Sequence, residues 1–325
     1  MIDIRDVQAA AIRLDGVAVK TPLIRSHALD ELAGGTVFIK PECLQVTGSF
    51  KIRGAYNFLS QLTPEQARVG VVTFSSGNHA QGVAAAGAML GIHTTIVMPE
   101  DAPRAKLENT RRLGGEVITY DRYTGDREAI AREIAAERGA VVVPSYDHDY
   151  IIAGQGTVGL EIARELGELG VTPDRVLVCC GGGGLVAGSA TALAASFPGV
   201  RVHAVEPEQF DDTARSLVSG RRESVAADAR SICDALQAHT PGKLTFAINH
   251  RLLARGLAVS DAEVRSAMRF AFRHLKLVVE PGGAVALAAV LAGKVETNGK
   301  TIVVVISGGN VDLDLYAEIQ REESG

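Results

Sequence analysis

The stretch Arg175-Val176-Leu177-Val178-Cys179-Cys180-Gly181-Gly182-Gly183-Gly184-Leu185-Val186-Ala187 decides the fold. Its apolar, β-branched run reads as a buried strand over 175–180, and the small residues that continue to Phe197 read as a helix. Between them, four residues without Cβ let backbone N–H groups converge at a helix N-terminus, where unsatisfied donors and the dipole favour an anion such as a phosphate. A buried strand, a glycine loop and a helix form one unit of an open parallel sheet, whose ligands bind beyond the carboxyl ends of the strands. The unit admits two other readings. Gly182-x-Gly184-x-x-Ala187, with Glu206 ending the next strand, fits a loose dinucleotide fingerprint, and a tight strand-to-helix turn needs no ligand.

Three further stretches narrow the choice. In Thr47-Gly48-Ser49-Phe50-Lys51-Ile52-Arg53-Gly54, two glycines flank the lysine, and Ile52, Ala55, Tyr56 and Leu59 follow at helical spacing. Lys51 is therefore predicted at the first turn of a helix with a buried face, where burial and the dipole disfavour an ammonium and leave a nucleophilic amine. The plainer alternative is a solvated lysine beside a turn. Ser75-Ser76-Gly77-Asn78-His79 and Ser307-Gly308-Gly309-Asn310 each follow a β-branched run and are predicted as loops at the carboxyl ends of strands. The first offers N–H groups for a substrate carboxylate, an amide for a phenolic oxygen and a hydroxyl for proton transfer; the second offers a hydroxyl for a ring nitrogen. Their ordinary uses are helix capping by Asn78 or Ser76 and a turn at Ser307. Taken together, lysine, phosphate cradle, amide and hydroxyl are what pyridoxal 5′-phosphate requires.

From Val69 to about Tyr146, strand candidates at 69–74, 94–98, 116–120 and 140–143 alternate with helix candidates at 78–90, 102–113 and 126–138. A second α/β series holds a helix near 155–169 and strands at 175–180, 201–205 and 301–306. Alternation of this kind implies right-handed βαβ units. The expected architecture is α/β: two open twisted parallel-type sheets with flanking helices, a small domain at 69–146 inserted in a large one formed by 1–68 and 147–325. Thr63-Pro64-Glu65-Gln66 has the form of a capping box, and Ser260 with Glu263 is expected to cap a helix whose buried face includes Val264, Met268 and Phe272 together with Ala267, Ala271 and Leu275.

The composition suits an enzyme acting on a small molecule. At 325 residues and 46% hydrophobic, the chain is long enough for about two cored domains. A net charge of -5 without a Lys/Arg block argues against nucleic acid or an anionic membrane as partner. Residues 176–200 carry no charge, but four consecutive glycines would break a membrane-spanning helix. The N-terminus shows no apolar signal region, so a cytoplasmic location is expected. The four cysteines lack C-x-x-C spacing and are expected to be reduced core residues.

The motifs around Lys51, Ser75–His79, the tetraglycine loop, Glu280-Pro281 and Ser307–Asn310 together resemble the serine/threonine dehydratase and serine racemase family, of the tryptophan-synthase β-like fold (fold type II). The resemblance extends from the first helix to Ile319 and suggests the short form without a regulatory domain. It implies that Lys51 carries the cofactor and removes the Cα proton, that Asn78 holds the cofactor's O3′, that Gly181, Gly182, Gly183, Gly184 and Leu185 hold its phosphate, and that Ser307 meets its pyridine nitrogen. Ser76 would act on the opposite face of the substrate, beside Ser75 and His79, and Arg127 would gate it. Glu206, the Phe210 carbonyl and Asp212 would bind Mg²⁺ or Ca²⁺, oxygen ligands that suit a hard cation; a solvated acidic loop is the alternative. Where many members have Ala-Asp-Gly, this chain has Cys233-Asp234-Ala235.

By the same resemblance the protein is a lyase, expected as a homodimer, that converts L-threonine, L-serine or another β-hydroxy amino acid to a 2-oxo acid and ammonia. The alternatives are an amino acid racemase with the same cofactor and, more remotely, a nicotinamide dehydrogenase. His79 stands where β-replacement synthases usually have threonine.

Overall fold

The computed structural model describes residues 1–322 except Ser76, Pro103, Arg122 and Tyr123, and the backbone alone at Ala105. Helix α1 (Ile4–Arg13) opens the chain, held by an Asp3/Asp6 capping box. Strand β1 (Ile24–Arg25), α2 (His27–Ala33) and β2 (Thr36–Pro41) lead through two short 3-10 turns to α3 (Lys51–Leu59). Thr63 caps α4 (Pro64–Val69) reciprocally with Gln66, an arrangement worth about 1 kcal/mol. That helix takes up the first residue of the strand expected from Val69, and Gly70, at φ 98°, makes the turn into β3 (Val71–Phe74).

The alternating segment then runs α5 (Asn78–Leu90), β4 (Thr94–Pro99), α6 (Arg104–Arg112), β5 (Glu116–Tyr120), α7 (Arg127–Arg138) and β6 (Val141–Val142). Next come α8 (Asp149–Glu168), β7 (Arg175–Cys179), α9 (Gly184–Ser196), β8 (Arg201–Pro207), α10 (Asp212–Ser219), α11 (Lys243–Leu252), β9 (Leu253–Val259), α12 (Asp261–Phe270), α13 (Pro281–Leu291), β10 (Thr301–Ile306) and α14 (Leu313–Arg321).

Two sheets result. The larger has the order β1-β2-β10-β7-β8-β9, parallel except for the β1–β2 pair, and the smaller is the parallel β5-β4-β3-β6. In the larger sheet the chain leaves β7 toward β8, while the late strand β10 lies on β7's other side. In the smaller it leaves β3 toward β4, with β6 on the other side. Both are topological switch points, where crossovers diverge and leave a crevice. The glycine loop follows β7, Ser307 follows β10, and Ser75 follows β3, with Asn78 opening α5 shortly after.

Helix α3 ties the halves together. Ile52, Ala55, Phe58 and Leu59 pack with Val71, Val83, Ala86, Val143 and Ile151 in one apolar cluster. On its other side, the fully buried Arg53 donates to Glu42 at 2.7 and 2.8 Å and to Glu161 at 2.6 and 2.9 Å. Breaking such a buried pair costs about 3–5 kcal/mol.

Helix α8 begins at Asp149, earlier than the sequence suggests, with the His148 Nδ1 accepting the Tyr150 N–H at 3.1 Å as its cap, and its glycines serve helix packing. A Cβ on Gly154 would lie 2.6 Å from the Arg53 carbonyl oxygen, and one on Gly159 would lie 2.5 Å from that of Ser189. Phe272 also departs from expectation. The chain widens to a π-helix over Ala271–Leu275, turning Phe272 out to 47% exposure while Val264, Ala267, Met268 and Ala271 stay buried. Cys179, Cys180 and Cys233 are buried free thiols, and Cys43 is partly exposed. Among the described residues, no helix is long and apolar enough to cross a membrane.

Candidate active site

Lys51 is the first residue of α3 and is half-buried. A Cβ on Gly82 of α5 would lie 3.0 Å from the Lys51 carbonyl carbon, so the two helices meet at backbone distance there. The Lys51 Nζ donates to the Ser145 carbonyl at 3.0 Å and lies 5.2 Å from the centre of the Phe50 ring. Burial lowers its pKa to about 8, against a smaller opposing pull from neighbours that include Glu280.

Two backbone hydrogen bonds join this turn to the Ser307 loop. The Phe50 N–H donates to the Ser307 carbonyl at 3.1 Å and the Gly309 N–H to the Gly48 carbonyl at 2.9 Å, which together make the antiparallel Ser49–Gly308 bridge. Ser307 is buried, and its hydroxyl bonds the Cys179 thiol, whose pKa burial pushes up to about 12.

Asn78 caps nothing; Gly77 holds the N-cap position of α5. The Asn78 Nδ2 donates to Glu280 Oε1 at 2.6 Å, and its Oδ1 accepts from Asn310 Nδ2 at 2.8 Å. This fixes the plane of the amide and leaves one of its two N–H donors for a ligand. Glu280 is buried, and burial followed by the nearby Asp234 raises its pKa to about 8. The Glu280-Pro281 motif marks this residue in the sequence, but its partnership with Asn78 comes from the fold. His79 is buried with Nε2 3.4 Å from the Val143 carbonyl, and burial followed by Lys51 holds its pKa down to about 3. Ser75 accepts the Gly77 N–H at 3.2 Å. Ser76 lies outside the described residues.

The glycine loop is braced from behind. The Thr245 hydroxyl and the Gly242 N–H both donate to the Gly182 carbonyl, at 2.7 and 3.3 Å. Asp147 caps α11 from a distance, accepting the N–H groups of Lys243, Leu244 and Thr245. Gly183, at φ 92°, is the N-cap of α9; a Cβ there would lie 2.7 Å from Asn249 Nδ2, and one on Gly182 would enter the Tyr146 ring at 2.4 Å. With its carbonyls taken, the loop has the free N–H groups of a helix start to offer, the donor set a phosphate needs. No motif marked Tyr146, Asp147, Thr245 or Asn249; their only signal was position, on the chain entering α8 and at the start of α11.

Arg127 is the exposed first residue of α7, with its guanidinium 5.7 Å from the centre of the Phe74 ring, one residue before Ser75. Glu206 and Asp212 are fully buried, which overturns the solvated-loop alternative. Glu206 accepts the Thr213 and Ala214 N–H groups at 3.0 and 2.8 Å, while neither Asp212 carboxylate oxygen has a partner. Burial raises both pKa values, Asp212 to about 7, and the two carboxylates repel each other. Among the described residues no cluster of three His, Cys, Asp or Glu side chains forms a metal centre. With its carboxylate turned to α10, Glu206 is not placed as a ribose-binding acid, which removes the structural basis of the dinucleotide reading.

The sequence profile described as "Pyridoxal-phosphate dependent enzyme" matches residues 15–308. The chain belongs to the pyridoxal-phosphate-dependent enzyme family. Within it, the chain is 45% identical over 316 residues to the L-threo-3-hydroxyaspartate ammonia-lyase of Pseudomonas sp, covering 97% of this chain and 98% of that protein. It is 41% identical over 321 residues to the catabolic L-threonine dehydratase of Escherichia coli, covering 98% and 96%. The structure of maize serine racemase superposes with a TM-score of 0.91 at 37% identity, covering 97% of this chain and 96% of that one. The fold is that of the type II pyridoxal-phosphate-dependent enzymes. The cofactor of this pyridoxal-phosphate-dependent enzyme accounts for a lysine of lowered pKa, a glycine loop that tolerates no Cβ and an amide fixed by Glu280 and Asn310.

Proposed function

We propose that this pyridoxal-phosphate-dependent lyase dehydrates a β-hydroxy amino acid, L-threonine, L-serine or a relative such as 3-hydroxyaspartate, releasing a 2-oxo acid and ammonia. The observation that carries the reading is the Lys51 amine, desolvated to a pKa of about 8 at the start of α3, two residues from the Ser49–Gly308 bridge. When bound, the cofactor supplies an electron sink that makes the amino acid's Cα–H acidic. Lys51, as the uncharged amine its lowered pKa makes accessible, would take that proton and hand it to the β-hydroxyl, which would then leave as water.

Gly181, Gly182, Gly183, Gly184 and Leu185 would hold the phosphate with backbone N–H groups, and Asn78 would hold O3′ with its remaining donor. Ser307 would meet the ring nitrogen as an uncharged hydroxyl, leaving that nitrogen largely unprotonated and favouring prompt β-elimination. Ser75, Ser76 and His79 would surround the substrate carboxylate. Arg127, with no carboxylate partner among the described residues, would face a substrate carboxylate at the cleft mouth, and a β-carboxylate gives it a further role. Glu206 and Asp212, with the Phe210 carbonyl, would hold Mg²⁺ or Ca²⁺; the unpartnered oxygens of Asp212 support this.

The 69–146 segment, which carries the smaller sheet, is proposed as a domain inserted between 1–68 and 147–325. Free thiols suit a reducing, cytoplasmic setting, and the homodimer expectation rests on family resemblance. Ammonia release across a panel of β-hydroxy amino acids, with D-amino acid measured alongside, tests the reading. A product dominated by D-amino acid would favour the racemase instead, and Ser76→Ala should then abolish that product.

A further inference from the structure

Lys106 stands on α6 beside the smaller sheet, and Asp234 opens the 3-10 turn Asp234–Leu236 beside the larger one, yet Lys106 Nζ lies 2.6 Å from Asp234 Oδ2 across 128 positions of sequence. The lysine side chain is 19% exposed and the Asp234 side chain 55%, so the pair is screened by solvent from the aspartate side only, and its contribution lies at the upper end of what a surface pair supplies. The turn that Asp234 begins rests on the glycines of the site. A Cβ on Gly181 would lie 3.2 Å from the Leu236 Cα, and a Cβ on Gly282 would lie 3.2 Å from the Ala235 methyl. Gly282 belongs to the first turn of α13, whose N-cap is Glu280, the partner of the Asn78 amide. Through one short turn, Lys106 therefore reaches both the start of the glycine loop and the group that orients Asn78. No motif marks Lys106, and Asp234 stands between Cys233 and Ala235, the two positions of that stretch that differ from the Ala-Asp-Gly of many members.

We propose that Lys106 is a positioning residue: acting through Asp234, it pins the 233–236 turn onto Gly181 and Gly282 and so sets how closely the cleft fits around the amino acid. The role rests on the site assignment above, but not on which reaction follows binding. A positioning role needs no contact between Lys106 and cofactor or substrate. Its effect should therefore appear in the binding of the amino acid more than in the chemical step.

The test compares Lys106→Met, Asp234→Asn and the exchanged pair Lys106→Asp with Asp234→Lys, all as holoenzymes. Binding of L-serine is read from the change in cofactor absorbance, which needs no turnover, and KM and kcat are measured beside it. Each single variant should bind serine about five- to tenfold more weakly, with KM rising in parallel and kcat staying within about threefold. The exchanged pair should recover most of the loss. Raising ionic strength should weaken binding by the wild type and leave Lys106→Met nearly unaffected. Serine binding unchanged within about twofold in both single variants, or an exchanged pair no better than either single, would overturn the role. A wild type that binds serine but releases no ammonia counts against the dehydratase reading alone and leaves the effect of the pair on binding measurable.

Discussion

The side-chain amide of Asn78 donates to Glu280 Oε1 at 2.6 Å, joining the first turn of α5 to the cap of α13 across 202 positions of sequence. The pair sets one donor of Asn78 and leaves the other free for a ligand, which is the donor proposed to meet the cofactor. It also places a carboxyl group of raised pKa inside the site.

Glu280 should make stability depend on pH. An acid whose folded pKa, about 8, lies above its ordinary 4.5 holds its proton longer when folded, so its stabilising contribution is lost as pH rises through that window. Glu280→Gln keeps an acceptor for Asn78 and should flatten the melting temperature of the apoprotein between pH 5 and 8. Glu280→Ala leaves a buried donor unpaired and should weaken cofactor binding about tenfold. An unchanged pH profile in the Gln variant would show that Glu280 is ionised throughout.

Lys51 works in the opposite direction. A base whose folded pKa is depressed from 10.5 to about 8 loses its proton earlier when folded, so it opposes folding below pH 8 and ceases to do so as pH rises toward 10.5. The rate at which the apoprotein recombines with pyridoxal phosphate should climb with pH and level off above about 8. Borohydride reduction and peptide mapping should place the label on Lys51; a label on another lysine would sink the assignment.

Gly183→Asp should lose cofactor affinity by at least about a hundredfold, through like-charge repulsion and a Cβ crowded against Asn249 at a positive φ. Gly183→Ala should fall between, since it adds the clash without the charge. Titration of the apoproteins with pyridoxal phosphate separates the two effects, and equal affinities for all three would mean that the phosphate lies elsewhere.

Mg²⁺ or Ca²⁺ should raise the melting temperature of chelator-treated protein by several degrees, because a cation would replace the mutual repulsion of Glu206 and Asp212 with attraction. Asp212→Asn should abolish the response to added cation. A wild type indifferent to both chelator and cation would remove the site.

The sequence by itself determined the alternation of strands and helices, the loops at the carboxyl ends of β3, β7 and β10, the capping boxes at Thr63 and Ser260, and the place of Lys51 at a helix start. These are local properties: hydrophobic period, cap chemistry and runs of glycine are each legible within about a dozen residues. Only the tertiary structure decided which polar groups are desolvated and by whom they are met. Glu280 and Asn78, Asp147 and the start of α11, and Lys106 and Asp234 come together from positions 96 to 202 residues apart. The same holds for the early start of α8 and the outward turn of Phe272. In the first, Gly154 lets the first turns of α8 lie against the backbone of α3, and in the second a π-helix shifts the face that the 3.6-residue period would bury. Burial, and with it pKa, depends on what packs against a residue, and the neighbours that do so here arrive from distant parts of the chain.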